Sequence, residues 1–89
     1  MKIKPKIRIA GRDFEVKYIK GLADDGSTDF TNNIILIRDE LSEENKQTTL
    51  LHEIIECINS IYDLNLNHQT IQTLEAGLFQ IYKDNHKSL

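Results

Sequence analysis

Alternating apolar residues in the first twenty positions and a short continuous apolar run at 34–37 give way after Ser42 to apolar residues spaced three and four apart. Period two belongs to strands and period 3.6 to helices, so the chain is restricted to strands first and helices after. Such segregation gives an α+β layer, a sheet with helices on one face. At 89 residues there is room for a single domain with a thin core, spanning 1–89. Strands are expected over about 2–38 and helices over about 43–63 and 68–84.

The first twenty residues read as a hairpin. Ile3, Ile7 and Ile9 alternate with Lys2, Lys4, Lys6 and Arg8, and Phe14, Val16 and Tyr18 alternate after Gly11-Arg12. A II′ turn with Gly11 as its first central residue sets Ile9 opposite Phe14, Ile7 opposite Val16, Arg8 opposite Glu15 and, less favourably, Lys6 opposite Lys17. Pro5 lacks an amide donor and belongs on an edge. Gly21 to Asn32 reads as a polar loop. Its Asp24-Asp25-Gly26-Ser27 run lacks the ligand spacing of a calcium loop and reads as a turn. Ile34-Ile35-Leu36-Ile37 is a buried third strand.

Ser42 is a suitable N-cap, with Glu43 and Glu44 complementing the dipole of the helix that follows. Leu50, Leu51, Ile54, Ile55, Ile58, Ile61 and Tyr62 form one wide apolar stripe on it. Asn67 caps a second helix whose Ile71, Leu74, Leu78, Phe79, Ile81 and Tyr82 share a face. The short connection near Asn65 makes the two an antiparallel pair. Gly77, in mid-helix, points to close approach by another element.

Charge and cysteine usage exclude several classes. A net charge of −3 disfavours a nucleic-acid binder, which needs a basic surface to displace phosphate counterions. The alternating Lys2, Lys4, Lys6 and Arg8 read as a charged, protected strand edge. One cysteine, Cys57, permits no internal disulfide and suits a reducing cytoplasm. No apolar run reaches the ~20 residues of a membrane span.

The chemistry concentrates in His52-Glu53-x-x-Glu56. Residues i and i+4 of a helix lie one turn apart on one face, so His52 and Glu56 can share a divalent metal. Glu53, rotated by about 100°, can reach a metal-bound water without being a ligand, the place of a general base. The three also fall opposite the apolar stripe, where polar residues need no function. Glu75 falls inside the apolar arc of the second helix, and a carboxylate there requires a cation or donors unless it sits at the margin and reaches water. A metal held by His52 and Glu56 supplies such a cation. His68 is a rival third ligand, or an exposed first-turn residue.

Thr49-Leu50-Leu51-His52-Glu53-Ile54-Ile55-Glu56, with Leu74-Glu75-Ala76-Gly77-Leu78-Phe79-Gln80 and a closing Lys83-Asp84-Asn85, resembles very small zincin-like metallopeptidase proteins encoded largely by phages and related mobile elements. These typically read Leu-Leu-His-Glu-x-x-His-Ala before a helix containing Leu-x-x-Gly-Leu. The chain is similar, more distantly, to metallopeptidases that cleave repressors of mobile elements, in which a second-helix acid is the third ligand. The likeness runs over residues 34 to 85. It implies His52 as first ligand, Glu53 as general base, Glu75 as third ligand and zinc as cofactor. Glu56 stands where the family usually has His, and Cys57 where Ala is common. Two carboxylates and one imidazole neutralise a divalent ion, which acidifies bound water less and admits manganese or iron(II) beside zinc. The implied activity is hydrolysis of a peptide or protein substrate. A non-catalytic regulatory or binding protein on the same scaffold is the alternative, and oligomeric state is left open.

Overall fold

The structure is a computed structural model and describes residues 6–85. The expectations for Lys2, Ile3, Lys4 and Pro5 therefore lie outside the described residues. The elements run β1 (Lys6–Ile9), β2 (Arg12–Ile19), β3 (Gly26–Asp29), β4 (Ile34–Arg38), α1 (Glu43–Ile61) and α2 (His68–Asn85). The sheet order is β1-β2-β4-β3, with β2 and β4 parallel and the outer pairs antiparallel. The α+β architecture is thus present, with one strand more than the sequence pattern indicated.

The hairpin turns one residue earlier than expected. Ala10 and Gly11 both adopt positive φ, 50° and 77°, as a type I′ turn requires of its central pair. Pairing consequently slips by two residues, to Ile7 opposite Phe14, Arg8 opposite Asp13 and Lys6 opposite Glu15. A slip of two keeps every side chain on its face, so the apolar side survives the error. The new register also replaces the Lys6–Lys17 clash and gives Arg8 an ion pair with Asp13 at 2.9 Å.

The fourth strand, β3, lies inside the segment read as loop. Its GSTD sequence has no apolar pattern, but β4 is apolar over residues 34–37 and so is suited to a neighbour on each side. The tight β3–β4 connection is fixed by Asp29, whose carboxylate accepts from the amides of Thr31 (3.0 Å) and Asn32 (3.1 Å) and from the Asn32 side chain (2.9 Å). Those bonds, the Asn32 side chain foremost, hold the Asp29 carboxyl below its ordinary range. Arg12 closes the turn from β2, donating to the Phe30 carbonyl at 3.0 Å and to Asn33 Oδ1 at 2.5 Å.

One face of the sheet and the underside of α1 form the core: Ile9, Phe14, Val16, Ile35 and Ile37 against Leu50 and Cys57. Both helices begin at the expected caps. Ser42 Oγ accepts from the Asn45 amide at 3.2 Å and Asn67 Oδ1 from the Thr70 amide at 2.8 Å. The expected apolar stripes are only partly used. Among the described residues α2 packs on α1 alone of the regular elements, so it buries Ile71 but leaves Leu74, Leu78 and Ile81 exposed. Ile58 on α1 and Tyr62 at its C-cap are likewise exposed. Gly77 faces open space, with no atom of another described element within 4 Å of the place a Cβ would take. The close approach it suggested is absent there and occurs at Gly26. Among the described residues no helix is long and apolar enough to cross a membrane.

Candidate functional site

α1 carries His52, Glu53 and Glu56 in one turn, but not all on the polar face. Leu50, Glu53 and Cys57 are spaced three and four residues apart, form one line, and are all buried. Glu53 therefore turns toward the sheet, only 7 % exposed, the one buried charged residue among those described. Its Oε1 accepts a hydrogen bond of 2.8 Å from the Thr28 hydroxyl of β3. Burial pushes the Glu53 carboxyl above its ordinary range, and Glu56 and Glu75 add to the rise. The Thr28 bond and His52 oppose it. Cys57, one turn on, is a fully buried free thiol whose pKa burial also raises, in keeping with a core role.

His52 sits between two carboxylates. Its Nδ1 lies 2.7 Å from Glu75 Oε1, a hydrogen-bond distance across the α1–α2 interface, and its Nε2 lies 3.6 Å from Glu56 Oε2 one turn along α1. Glu75 thus points inward and meets a partner. That partner is the ring nitrogen remote from Glu56, so Glu75 holds the ring instead of converging with Glu56 on one point. His68 is exposed, its ring centroid 6.2 Å from that of His52. Among the described residues, no group of three or more His, Cys, Asp or Glu is disposed to hold a metal ion.

A cleft of about 560 Å³ opens beside this arrangement. The Ala23–Gly26 segment lines one part of it, Asn45, Thr48 and Thr49 of α1 another, and His52, Glu53 and Glu75 reach it from the two helices. Glu56 is outside the lining. A buried carboxylate with a raised pKa, a histidine bridged to a second carboxylate, and a concave surface form a combination suited to proton transfer.

Thr28 and Gly26 belong to this site and escaped the sequence reading, because both lie in a polar run with no strand pattern. The one available signal was the continuous apolar β4, which demanded a second flanking strand. Comparison with protein-family models, curated proteins and solved structures finds no match.

Proposed function

We propose that this chain is a minimal metal-dependent, peptidase-like hydrolase with His52 and Glu56 as its metal-holding pair and Glu53 as its general base. The observation that carries the reading is the His52 ring, held at one nitrogen by Glu75 and facing Glu56 with the other, beside a cleft reached by a buried glutamate. Two ligand atoms each about 2.0–2.2 Å from a tetrahedral zinc ion stand about 3.4 Å apart. The 3.6 Å between His52 Nε2 and Glu56 Oε2 fits that requirement. The 2.7 Å between Nδ1 and Glu75 is too short to admit an ion and suits a carboxylate that orients the imidazole. A divalent ion, zinc or a harder ion such as manganese or iron(II), would supply polarisation of a carbonyl and acidification of a water when bound.

The chain's own contribution is the proton path. Glu53 Oε1 stays on Thr28 while its other oxygen takes a proton from the attacking water; the same proton then passes to the departing amine as the C–N bond breaks. Burial favours the protonated form of Glu53, which brings its acid and base forms closer in energy near neutral pH. The resemblance of residues 34 to 85 to zincin-like proteins of phages and mobile elements supports the same reading. The lone, buried Cys57 thiol fits a cytoplasmic address.

The decisive assay is peptide hydrolysis by zinc-supplemented protein. Glu53→Gln is expected to abolish turnover while leaving metal content nearly unchanged. Metal lost in step with activity would make Glu53 a ligand, and equal turnover would remove it from the mechanism. Glu56 lying outside the cleft favours a second reading, a non-catalytic metal-binding regulator. Stoichiometric metal without hydrolysis would select it.

A further inference from the structure

The edge strand β3 approaches α1 more closely than side chains ordinarily allow. A Cβ on Gly26 would stand 2.6 Å from Thr49 Cγ2, 3.3 Å from Glu53 Cγ and 3.3 Å from the Leu36 carbonyl oxygen. A contact of 2.6 Å is inside van der Waals separation, so a side chain here would have to displace the Thr49 methyl and press on Glu53 and the Leu36 carbonyl, and glycine leaves all three in place. Two residues on, on the same face of the strand, Thr28 delivers its hydroxyl to Glu53 Oε1 at 2.8 Å. The Gly-x-Thr spacing thus does two things at once: it removes a side chain where strand meets helix, and it supplies a donor one step further along.

We propose that Thr28, brought into range by Gly26, is the positioning residue of Glu53, committing one carboxylate oxygen so that only the other serves the cleft. The proposal rests on the reading of Glu53 as general base. Several features of the site favour it. Glu53 is a long side chain with three rotatable bonds, held at the boundary between the core and the cleft. With one oxygen engaged, its plane and reach are fixed before any substrate enters, and the penalty for ordering it is met in folding. Without the hydroxyl, a buried carboxylate has every reason to rotate outward to water. Valine at position 28 has the same shape but no donor, whereas serine retains the donor without the methyl group.

The test is side-chain NMR on the full chain, joined to kinetics. The Thr28 hydroxyl proton is expected in slow exchange, with a cross-peak to the Glu53 methylenes, whose couplings report one rotamer. Thr28→Ser keeps this signature. Thr28→Val loses it and gives rotamer-averaged Glu53 couplings, and Gly26→Ala does the same although Thr28 is intact. In the hydrolysis assay, Thr28→Val lowers kcat at least tenfold with little change in KM, and Thr28→Ser recovers most of it. A Thr28→Val protein with Glu53 still in one rotamer, or with Glu53 released and kcat unchanged, overturns the proposal. Absence of hydrolysis in the wild-type chain, with the NMR signature present, would overturn the base assignment and leave the positioning contact standing.

Discussion

Replacing Glu53 with glutamine should stabilise the metal-free protein, and the gain should depend on pH. The side chain is 7 % exposed and has one hydroxyl donor, Thr28, at 2.8 Å. Full burial of an unpaired carboxylate costs several kcal/mol. Here one oxygen is satisfied and the residue borders the cleft, so about 1–2 kcal/mol is the expected penalty at pH 8. Glutamine is isosteric, can keep accepting from Thr28 through its carbonyl oxygen, and carries no charge. The pH dependence follows from the raised carboxyl pKa. The folded state holds the proton more tightly than the unfolded state, so native stability falls as pH rises. Below the ordinary value of 4.5 both states are protonated and the two proteins should differ little. Above the raised folded-state value the glutamine variant should be ahead by the full amount. For a domain of this size that is a melting-temperature difference of about 4–8 °C per kcal/mol. Thermal melts of both proteins in chelator at pH 4 and pH 8 measure it. A variant no more stable than wild type at pH 8, or a gap of equal size at both pH values, would rule out a buried, charged Glu53 as the source of the cost.

Three other perturbations probe the imidazole contact, the hairpin turn and the second helix. Glu75→Ala should weaken metal binding at least tenfold, about 1.4 kcal/mol, while Glu75→Gln retains most of it by still accepting from His52 Nδ1; chelator-dye competition showing equal losses would make Glu75 a direct ligand instead. Ala10→Asn should raise stability by about 1 kcal/mol, because asparagine tolerates the left-handed φ of 50° better than alanine does; an unchanged denaturation midpoint would contradict the type I′ turn. Gly77→Ala should add up to about 1 kcal/mol, since the position is helical and faces open space; destabilisation would reveal an approach that the packing described here does not contain.

The parts of the fold that were legible in the sequence are those set by local chemistry. Ser42 and Asn67 cap the helices at the expected places because a side-chain oxygen before an amphipathic run has few other uses. The alternation around Phe14 and Val16 identified the buried face even though the turn was misplaced by one residue, since a two-residue slip preserves faces. What was not legible depends on long-range packing. β3 forms because β4 needs a second neighbour, and nothing in its own sequence announces this. Once β3 is present, Gly26 lets it reach α1, and the angular position assigned to the solvent side becomes a buried one for Glu53. The spacing of His52 and Glu56 made them neighbours on any helix. That the imidazole would use its other nitrogen for Glu75 depends on how the two helices rotate against each other, which the sequence pattern leaves open.

Under the proposed function, His52 and Glu56 hold a divalent ion while Glu75 orients the imidazole. This arrangement is tested most directly by calorimetric titration of zinc into chelator-stripped, tag-free protein, wild type and His52→Ala side by side. About one ion per wild-type chain is expected, with an affinity at least tenfold lower in His52→Ala. A wild-type chain that binds no zinc, or a His52→Ala chain that binds it equally well, would contradict that arrangement.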